Sequence, residues 1–144
     1  TTVTKGRASV MLPRTALKPG THTLTVRYLG DAKTKPSSTT VRLTIRKAKA
    51  SVAAKVTTKR VVAGKTRAKV RVTVKASGTT PTGKVAVYCR GKKVGTATLS
   101  KNGTAVVRLK KLAKSGKVTL KVRYLGSATT GSAAKTLKVT VKRR

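Results

Sequence analysis

The sequence predicts an all-β protein that folds as an antiparallel β-sandwich. Apolar and polar residues alternate with a period of two in many short segments, turn residues separate these segments, and the apolar spacing typical of helices is missing. Hydrophobic residues make up 38% of the 144 residues, which is enough for a core of small aliphatic side chains. The strict alternation argues against disorder, which a high net charge and few aromatic residues would otherwise indicate.

The chain repeats part of its own sequence. Val26–Gly30 (Val-Arg-Tyr-Leu-Gly) recurs unchanged as Val122–Gly126, an offset of 96 residues, and the strand-like segments 41–45 and 137–141 match at the same offset. A repeat of this length with short strands fits an immunoglobulin-like sandwich, which is typically ~100 residues long. We therefore expect tandem repeats: a complete one at 47–144, and at 1–46 the C-terminal half of another, either truncated or completed by another segment.

About seven strands are expected in the complete repeat, at 51–56, 68–76, 84–89, 93–99, 104–109, 117–124 and 137–142. Lys47–Ala50 forms a short linker before the first strand, and turn residues at 79–83 and 90–92 precede the third and fourth. In the strand at 117–124, Val, Leu and Tyr alternate with Lys, Thr and Arg, so one face is apolar and the other cationic. Asn102-Gly103 lies between two strands and predicts a tight hairpin turn.

A few residues invite both a structural and a chemical interpretation. Tyr28 and Tyr124 occupy equivalent inward positions and are expected to be core and corner residues rather than ligand contacts. Cys89 ends a strand, where a small structural residue is favoured over a crosslink between molecules. Asp31 is expected to make a local turn contact or an ion pair, because a calcium site needs several carboxylates.

Several short motifs, taken in order, resemble the bacterial Ig-like domain repeats of secreted and surface proteins. They are Pro81–Tyr88 (PTGKVAVY), Gly95–Leu99 (GTATL), Gly103–Ala105 (GTA), and the strand endings Tyr28–Asp31 (YLGD) and Tyr124–Ser127 (YLGS). The resemblance covers essentially the whole chain and implies an antiparallel sandwich, a tandem arrangement and an extracellular or cell-surface location. It carries no shared active site, and it does not explain the charge, since ordinary members are neutral or acidic.

The charge is the most unusual property of the chain. The chain contains 36 Lys and Arg residues and a single acidic residue, which gives a formal net charge of +35. Cations distributed along the whole chain predict a polyanionic partner, either nucleic acid or a cell-wall polymer such as teichoic acid or acidic polysaccharide. The candidate polyanion-binding residues, acting collectively, are Lys69, Arg71, Lys75, Lys117, Lys121, Arg123, Lys138 and Lys142.

Binding through these residues is expected to be independent of nucleotide sequence. Outward residues two apart on a strand lie roughly 6.6–6.8 Å from each other, a spacing comparable to the phosphate repeat of an extended polymer. No helix is expected to enter a major groove, and platforms that stack single strands use several aromatic residues, whereas only Tyr88 is expected to face outward. Lys outnumbers Arg, which favours point-charge contacts with counterion release.

The sequence argues against an enzyme and predicts no cofactor. Its single Cys and single His leave no internal disulfide, and a metal cluster or a catalytic triad would require the fold to bring Asp31, Cys89 and His22 together. No apolar run approaches the length of about 18 residues, so no transmembrane segment is expected.

Two further hypotheses stay open at this point. The chain could be a structural subunit or stalk of a surface filament, appendage or virion, in which the incomplete unit at 1–46 self-associates by strand donation. More weakly, it could be the accessory tail of a secreted nuclease or phosphatase. The sequence does not identify the polymer.

Overall fold

The computed structural model describes residues 1–13 and 16–143, which divide into two compact units, Thr1–Arg46 and Lys47–Arg144. In the first unit, β1 (Gly20–Tyr28) and β2 (Ser37–Ile45) form an antiparallel hairpin. The pairing runs without a register shift from Gly20 opposite Ile45 to Tyr28 opposite Ser37.

The described residues of the second unit, 47–143, form eight strands in two sheets. They are β3 (Ala50–Val56), β4 (Val61–Val62), β5 (Lys69–Ala76), β6 (Lys84–Cys89), β7 (Lys92–Thr98), β8 (Thr104–Arg108), β9 (Gly116–Tyr124) and β10 (Ala133–Lys142). One sheet has the order β4-β10-β9-β6-β7 and the other the order β3-β5-β8. All pairs are antiparallel except β4 with β10. This arrangement confirms the predicted all-β, immunoglobulin-like sandwich.

The inward residues of both sheets form one aliphatic core. Val70, Val72 and Val74 of β5 are 0–1% exposed, and Leu120 and Val122 of β9 are fully buried. The expected strands agree with the observed ones to within one residue at most ends, because alternation marks every second residue for burial. The last strand begins four residues earlier than expected, at Ala133, because its pairing with β9 continues to Tyr124. The two-residue strand β4 was not predicted, since it is too short for any alternation.

The Asn102-Gly103 turn forms, but the predicted hairpin is wrong. The Gly103 amide donates to the Ser100 carbonyl at 2.9 Å, while β7 and β8 belong to different sheets, so this turn carries the chain from one sheet to the other. Gly103 adopts φ +69, and a Cβ there would lie 2.6 Å from the carbonyl oxygen of Val74. The turn residues were read correctly, but they do not show which strands pair across them.

Gly95 lies where an edge of one sheet approaches an edge of the other. It lies in β7, and a Cβ at this position would lie 2.7 Å from Cγ1 of Val107 in β8 and 3.0 Å from the carbonyl oxygen of Arg108. The missing side chain therefore lets one edge of the five-stranded sheet approach the three-stranded sheet closely.

Candidate polyanion-binding faces

The outer surface of the five-stranded sheet, called here the broad face, carries five of the predicted residues. They are Lys117, Lys121, Arg123, Lys138 and Lys142, and all are exposed. On β9 the burial pattern alternates from Lys117 to the end of the strand, with Val118, Leu120, Val122 and Tyr124 buried and the cations between them exposed. The period of two therefore positions this row of charge as a direct consequence of filling the core.

Cations on the broad face are not placed opposite one another. Across β9 and β10, Lys117 faces Thr140, Lys138 faces Thr119 and Lys121 faces Thr136. Lys138 is thus diagonal to both Lys117 and Lys121, at the ~7–8 Å expected for diagonal neighbours in a sheet. The result is a checkerboard of ammonium and hydroxyl groups, in which positive charges alternate with hydrogen-bonding groups.

A groove of about 600 Å³ runs across the broad face. Tyr88, Arg90, Lys117, Lys121, Arg123 and Thr136 are among the residues that line it. As predicted, Tyr88 lies outside the core, and it is half-buried. On one side it is opposite Lys121 of β9, and on the other opposite Lys93 of β7.

Sequence reasoning missed Arg90 and Lys93 as members of this site. The pairing of β6 with β7 shifts register between Val87 and Tyr88, so β7 contains one additional residue, Val94. The bulge lets Val94 pack against the core while Lys93 stays beside Tyr88. Arg90 lies in the turn between β6 and β7, where no alternation applies, and the bulge breaks the alternation beside Lys93, so the pattern of apolar residues could not have assigned either position.

The outer surface of the three-stranded sheet, called here the narrow face, carries Lys69, Arg71 and Lys75, all exposed. In contrast to the broad face, cations here are placed directly opposite each other. Lys55 of β3 faces Arg71, and Lys69 faces Arg108 of β8. Because Lys69 and Arg71 are two apart on β5, the four side chains form two adjacent rows of like charge.

Lys55, Lys69, Arg71 and Arg108 are called here the quartet. Directly opposed side chains in an antiparallel sheet have Cβ atoms ≈ 4.5–5.5 Å apart, and like charges at this distance are destabilising. Sequence reasoning missed Lys55 and Arg108, although alternation in their strands indicates that both point outward. What it could not supply was the register that pairs them with Arg71 and Lys69.

The single acidic residue is engaged in a turn of the first unit, as a local turn contact was predicted. Asp31 Oδ2 accepts a hydrogen bond from the Tyr28 hydroxyl at 2.8 Å, and Oδ1 accepts from the amides of Lys33 and Thr34 at 2.8 and 2.7 Å. These bonds, the Tyr28 bond foremost, lower the pKa of the Asp31 carboxyl. The same hydrogen bond raises the pKa of Tyr28.

The single cysteine and the single histidine make local structural contacts. Cys89 is half-buried and packs against the core, and His22 Nε2 lies 2.7 Å from the Lys18 carbonyl oxygen. Among the described residues, no group of three or more His, Cys, Asp or Glu side chains is placed to hold a metal ion. No helix in residues 1–13 and 16–143 has the length and apolar character needed to cross a bilayer.

Comparison with known proteins supports the fold. Residues 50–142 match a family described as "Bacterial Ig-like domain (group 3)". The matched segment begins with the first residue of β3 and ends with the last residue of β10, so it covers both sheets of the second unit. No curated protein matches the chain.

Proposed function

Since the chain belongs to the bacterial Ig-like domain family, we propose that it is a non-enzymatic extracellular module that binds anionic polymers through its cationic surface. Domains of this family are typically non-catalytic and commonly occur in extracellular or surface proteins. The partner is an anionic polymer such as DNA, teichoic acid or acidic polysaccharide, recognised by charge rather than by sequence.

The quartet on the narrow face is the observation that carries this proposal. Placing Lys55 opposite Arg71 and Lys69 opposite Arg108 costs stability in the free protein. Solubility does not require it, because a net charge of magnitude ≈ 2–8 suffices for a small domain and this chain carries +35. A polymer that places anionic groups between the opposed cations would turn this repulsion into attraction.

The residue types indicate contacts with low chemical selectivity. Most of the exposed cations are lysines, which act as point charges and do not impose the planar geometry of an arginine fork. Phosphate, sulfate and carboxylate groups can all meet such charges. The main energetic term is then the release of counterions, which makes affinity depend steeply on salt.

A salt-titrated binding panel tests the proposal. The full chain is titrated with duplex DNA, teichoic acid, a sulfated polysaccharide and anionic vesicles, with a neutral polysaccharide as the negative control. We expect binding to every polyanion, with the logarithm of the affinity for duplex DNA falling by about 0.9 per logarithm of salt for each phosphate neutralised. Salt-insensitive binding, or binding to the neutral polymer, would overturn the proposal.

A charge-matched pair of variants localises the interaction. One variant changes the quartet to glutamine (Lys55→Gln, Lys69→Gln, Arg71→Gln, Arg108→Gln), and its control removes the same number of charges from the first unit (Lys5→Gln, Arg7→Gln, Lys33→Gln, Lys35→Gln). Loss of the quartet should reduce the salt slope by about one for each side chain that contacts a phosphate and should stabilise the free protein at low salt. Equal slopes for the two variants would show that charge acts diffusely and would refute the role of the narrow face.

The hairpin of the first unit supports a second candidate function, a structural subunit or stalk of a surface filament, appendage or virion. Val26 of β1 is 53% exposed and Val41 of β2 is 49% exposed. Leu43 and Ile45, which follow Val41 on the same face of β2, are half-buried. In the described residues this sheet consists of β1 and β2, and its outer edges are sites at which strands from another chain can add and complete a layer of the sandwich.

Light scattering and electron microscopy at physiological salt, without polyanion, separate the two functions. The structural function requires ordered polymers under these conditions, and the substitutions Val26→Ser and Val41→Ser should abolish them. A monodisperse monomer at physiological salt would eliminate assembly through this hairpin and leave polyanion binding untouched.

A further inference from the structure

The groove on the broad face combines positive charge with one aromatic ring. Tyr88 is half-buried in the groove, in a row that runs from Lys93 through Tyr88 and Lys121 to Thr136. The other two tyrosines are differently placed, because the hydroxyls of Tyr28 and Tyr124 bond to Asp31 and to the Thr82 carbonyl. Tyr88 is the tyrosine that lines this groove.

The side chains around the ring define the geometry of the groove. Ala86 is the next residue of the same parity on β6, and it is 2% exposed although it belongs to the outer surface. It is opposite Arg123 of β9, while Tyr88 is opposite Lys121. The groove therefore has Tyr88 on β6 and two cations, Lys121 and Arg123, along β9, and the small side chain of Ala86 leaves the space between Tyr88 and Arg123 unfilled.

Resting on the proposed polyanion binding, we propose that this groove binds single-stranded nucleic acid, with one base stacked on Tyr88 and the flanking phosphates on Lys121 and Arg123. A single outward ring does not form the platform of several aromatic residues that stacks successive bases, but it is sufficient to stack one base. An unpaired base offers a flat π-face to a tyrosine ring, and every base has one, so the contact needs no sequence preference. The hydroxyl of Thr136 lies in the same row and can donate to a phosphate or sugar oxygen.

Other polyanions match the charge but not the ring. Duplex DNA keeps its base faces stacked inside the helix, and polyphosphate and teichoic acid have no aromatic face. Acidic polysaccharides can place CH groups on a tyrosine ring, but a puckered sugar covers the ring less completely than a flat base does. A volume of about 600 Å³ lies in the range of small-molecule sites, and the groove can therefore hold one nucleotide of a longer strand.

Tyrosine fluorescence gives a direct measurement, because the chain contains three tyrosines and no tryptophan. The full chain is titrated with oligothymidylate and with an abasic strand of the same length and charge. We expect oligothymidylate to quench the emission and the abasic strand to leave it unchanged. Tyr88→Phe should keep the affinity but abolish the quenching, whereas the matched control Tyr28→Phe should retain the quenching.

Affinity provides the second measurement. Tyr88→Leu keeps apolar bulk in the groove without a π-face, and Tyr88→Ala removes the side chain. Both should weaken oligothymidylate binding by between about five-fold and about a hundred-fold, the range for loss of one base–aromatic stack, and both should bind the abasic strand as the unmodified chain does.

The outcomes separate this inference from the function on which it rests. Salt-dependent binding of both strands without a difference between the unmodified chain and Tyr88→Leu would refute base stacking and leave polyanion binding intact. Quenching that survives Tyr88→Phe would place the base on another tyrosine and would also overturn the inference. Failure of the unmodified chain to bind either strand would defeat the proposed function itself.

Discussion

The β1–β2 and β9–β10 hairpins have the same pairing and very different burial. β1 pairs with β2 from Gly20–Ile45 to Tyr28–Ser37, and 96 residues later β9 pairs with β10 from Gly116–Val141 to Tyr124–Ala133. Yet Val122 is 0% exposed while its counterpart Val26 is 53% exposed. The local sequence is therefore sufficient to specify a hairpin and its register, whereas burial depends on what packs against it.

In the second unit, the neighbours that supply this burial can be identified. β6 pairs with β9 on its free side, placing Val87 opposite Val122 and Val85 opposite Tyr124. The three-stranded sheet then contributes the valines of β5 to the same core. No corresponding strands occur among the described residues of the first unit, where the sheet consists of β1 and β2 alone.

The largest effect is expected from truncating the same leucine in the two hairpins. Leu120→Ala removes a fully buried side chain and should destabilise the second unit by about 3 kcal/mol, because it leaves a cavity between two sheets. Leu24→Ala, at the equivalent half-buried position, should cost less than about 1 kcal/mol. Urea unfolding of the full chain, followed by NMR signals of each hairpin, measures both. Equal losses of stability in the two variants would mean that the apolar face of β1 and β2 is covered in solution.

The same comparison marks the limit of prediction from sequence. Alternation placed the strands of the second unit and selected the inward face of β9, because a sandwich buries every second residue. It gave the same expectation for Val26, which the structure exposes, since periodicity describes a strand and not its neighbours. The pairing of Lys55 with Arg71 and the bulge at Val94 were also out of reach, because both depend on the register between paired strands, which alternation within one strand does not supply.

An intermediate effect is expected from the two tyrosines that end β1 and β9. Tyr124 is 0% exposed and donates to the Thr82 carbonyl at 2.7 Å, so Tyr124→Phe should cost about 1 kcal/mol in the second unit. Tyr28 donates to the exposed Asp31 carboxylate, where water can replace it, and Tyr28→Phe should leave unfolding in urea almost unchanged at neutral pH. A larger loss of stability for Tyr28→Phe than for Tyr124→Phe would show that the hydrogen bonds of the Asp31 turn, and not core packing, stabilise the β1–β2 hairpin.

The smallest effect concerns the turns that close these two hairpins, which differ in the side chain that accepts the amide hydrogen bonds. Asp31 accepts amide hydrogen bonds from Lys33 and Thr34, and Ser127 Oγ accepts them from Thr129 and Thr130 at 3.4 and 3.1 Å. The backbone closes both turns in the same way, at 2.9 Å from Asp31 N to Thr34 O and at 2.8 Å from Ser127 N to Thr130 O. Only the first turn therefore depends on a group that titrates.

Acid should consequently loosen the first turn and spare the second. The folded pKa of Asp31 lies below its ordinary value of 3.8, so the turn is stabilised above that pH, and the stabilisation is lost as the pH falls through the folded pKa. At the alkaline end, the folded pKa of Tyr28 lies above 10.0, so its contribution is present below that pH and is lost as the pH rises through the folded value. Backbone amide chemical shifts of Lys33 and Thr34 in an NMR pH titration report both changes.

Exchanging the two residues tests whether the side chain alone carries this difference. Asp31→Ser should abolish the acid transition at Lys33 and Thr34, and Ser127→Asp should create one at Thr129 and Thr130. The surroundings of the created carboxylate differ from those of Asp31, because the Tyr124 hydroxyl is engaged with Thr82, whereas the Lys47 ammonium donates to the Ser127 carbonyl at 2.9 Å and favours a carboxylate at this residue. The second turn is also held by Ala48, whose amide donates to the Thr129 carbonyl at 2.9 Å, so its backbone should stay closed in acid. If an acid transition persists at Lys33 and Thr34 in Asp31→Ser, it must arise from unfolding of the β1–β2 hairpin and not from the Asp31 side chain. The two turns would then differ in more than this one side chain.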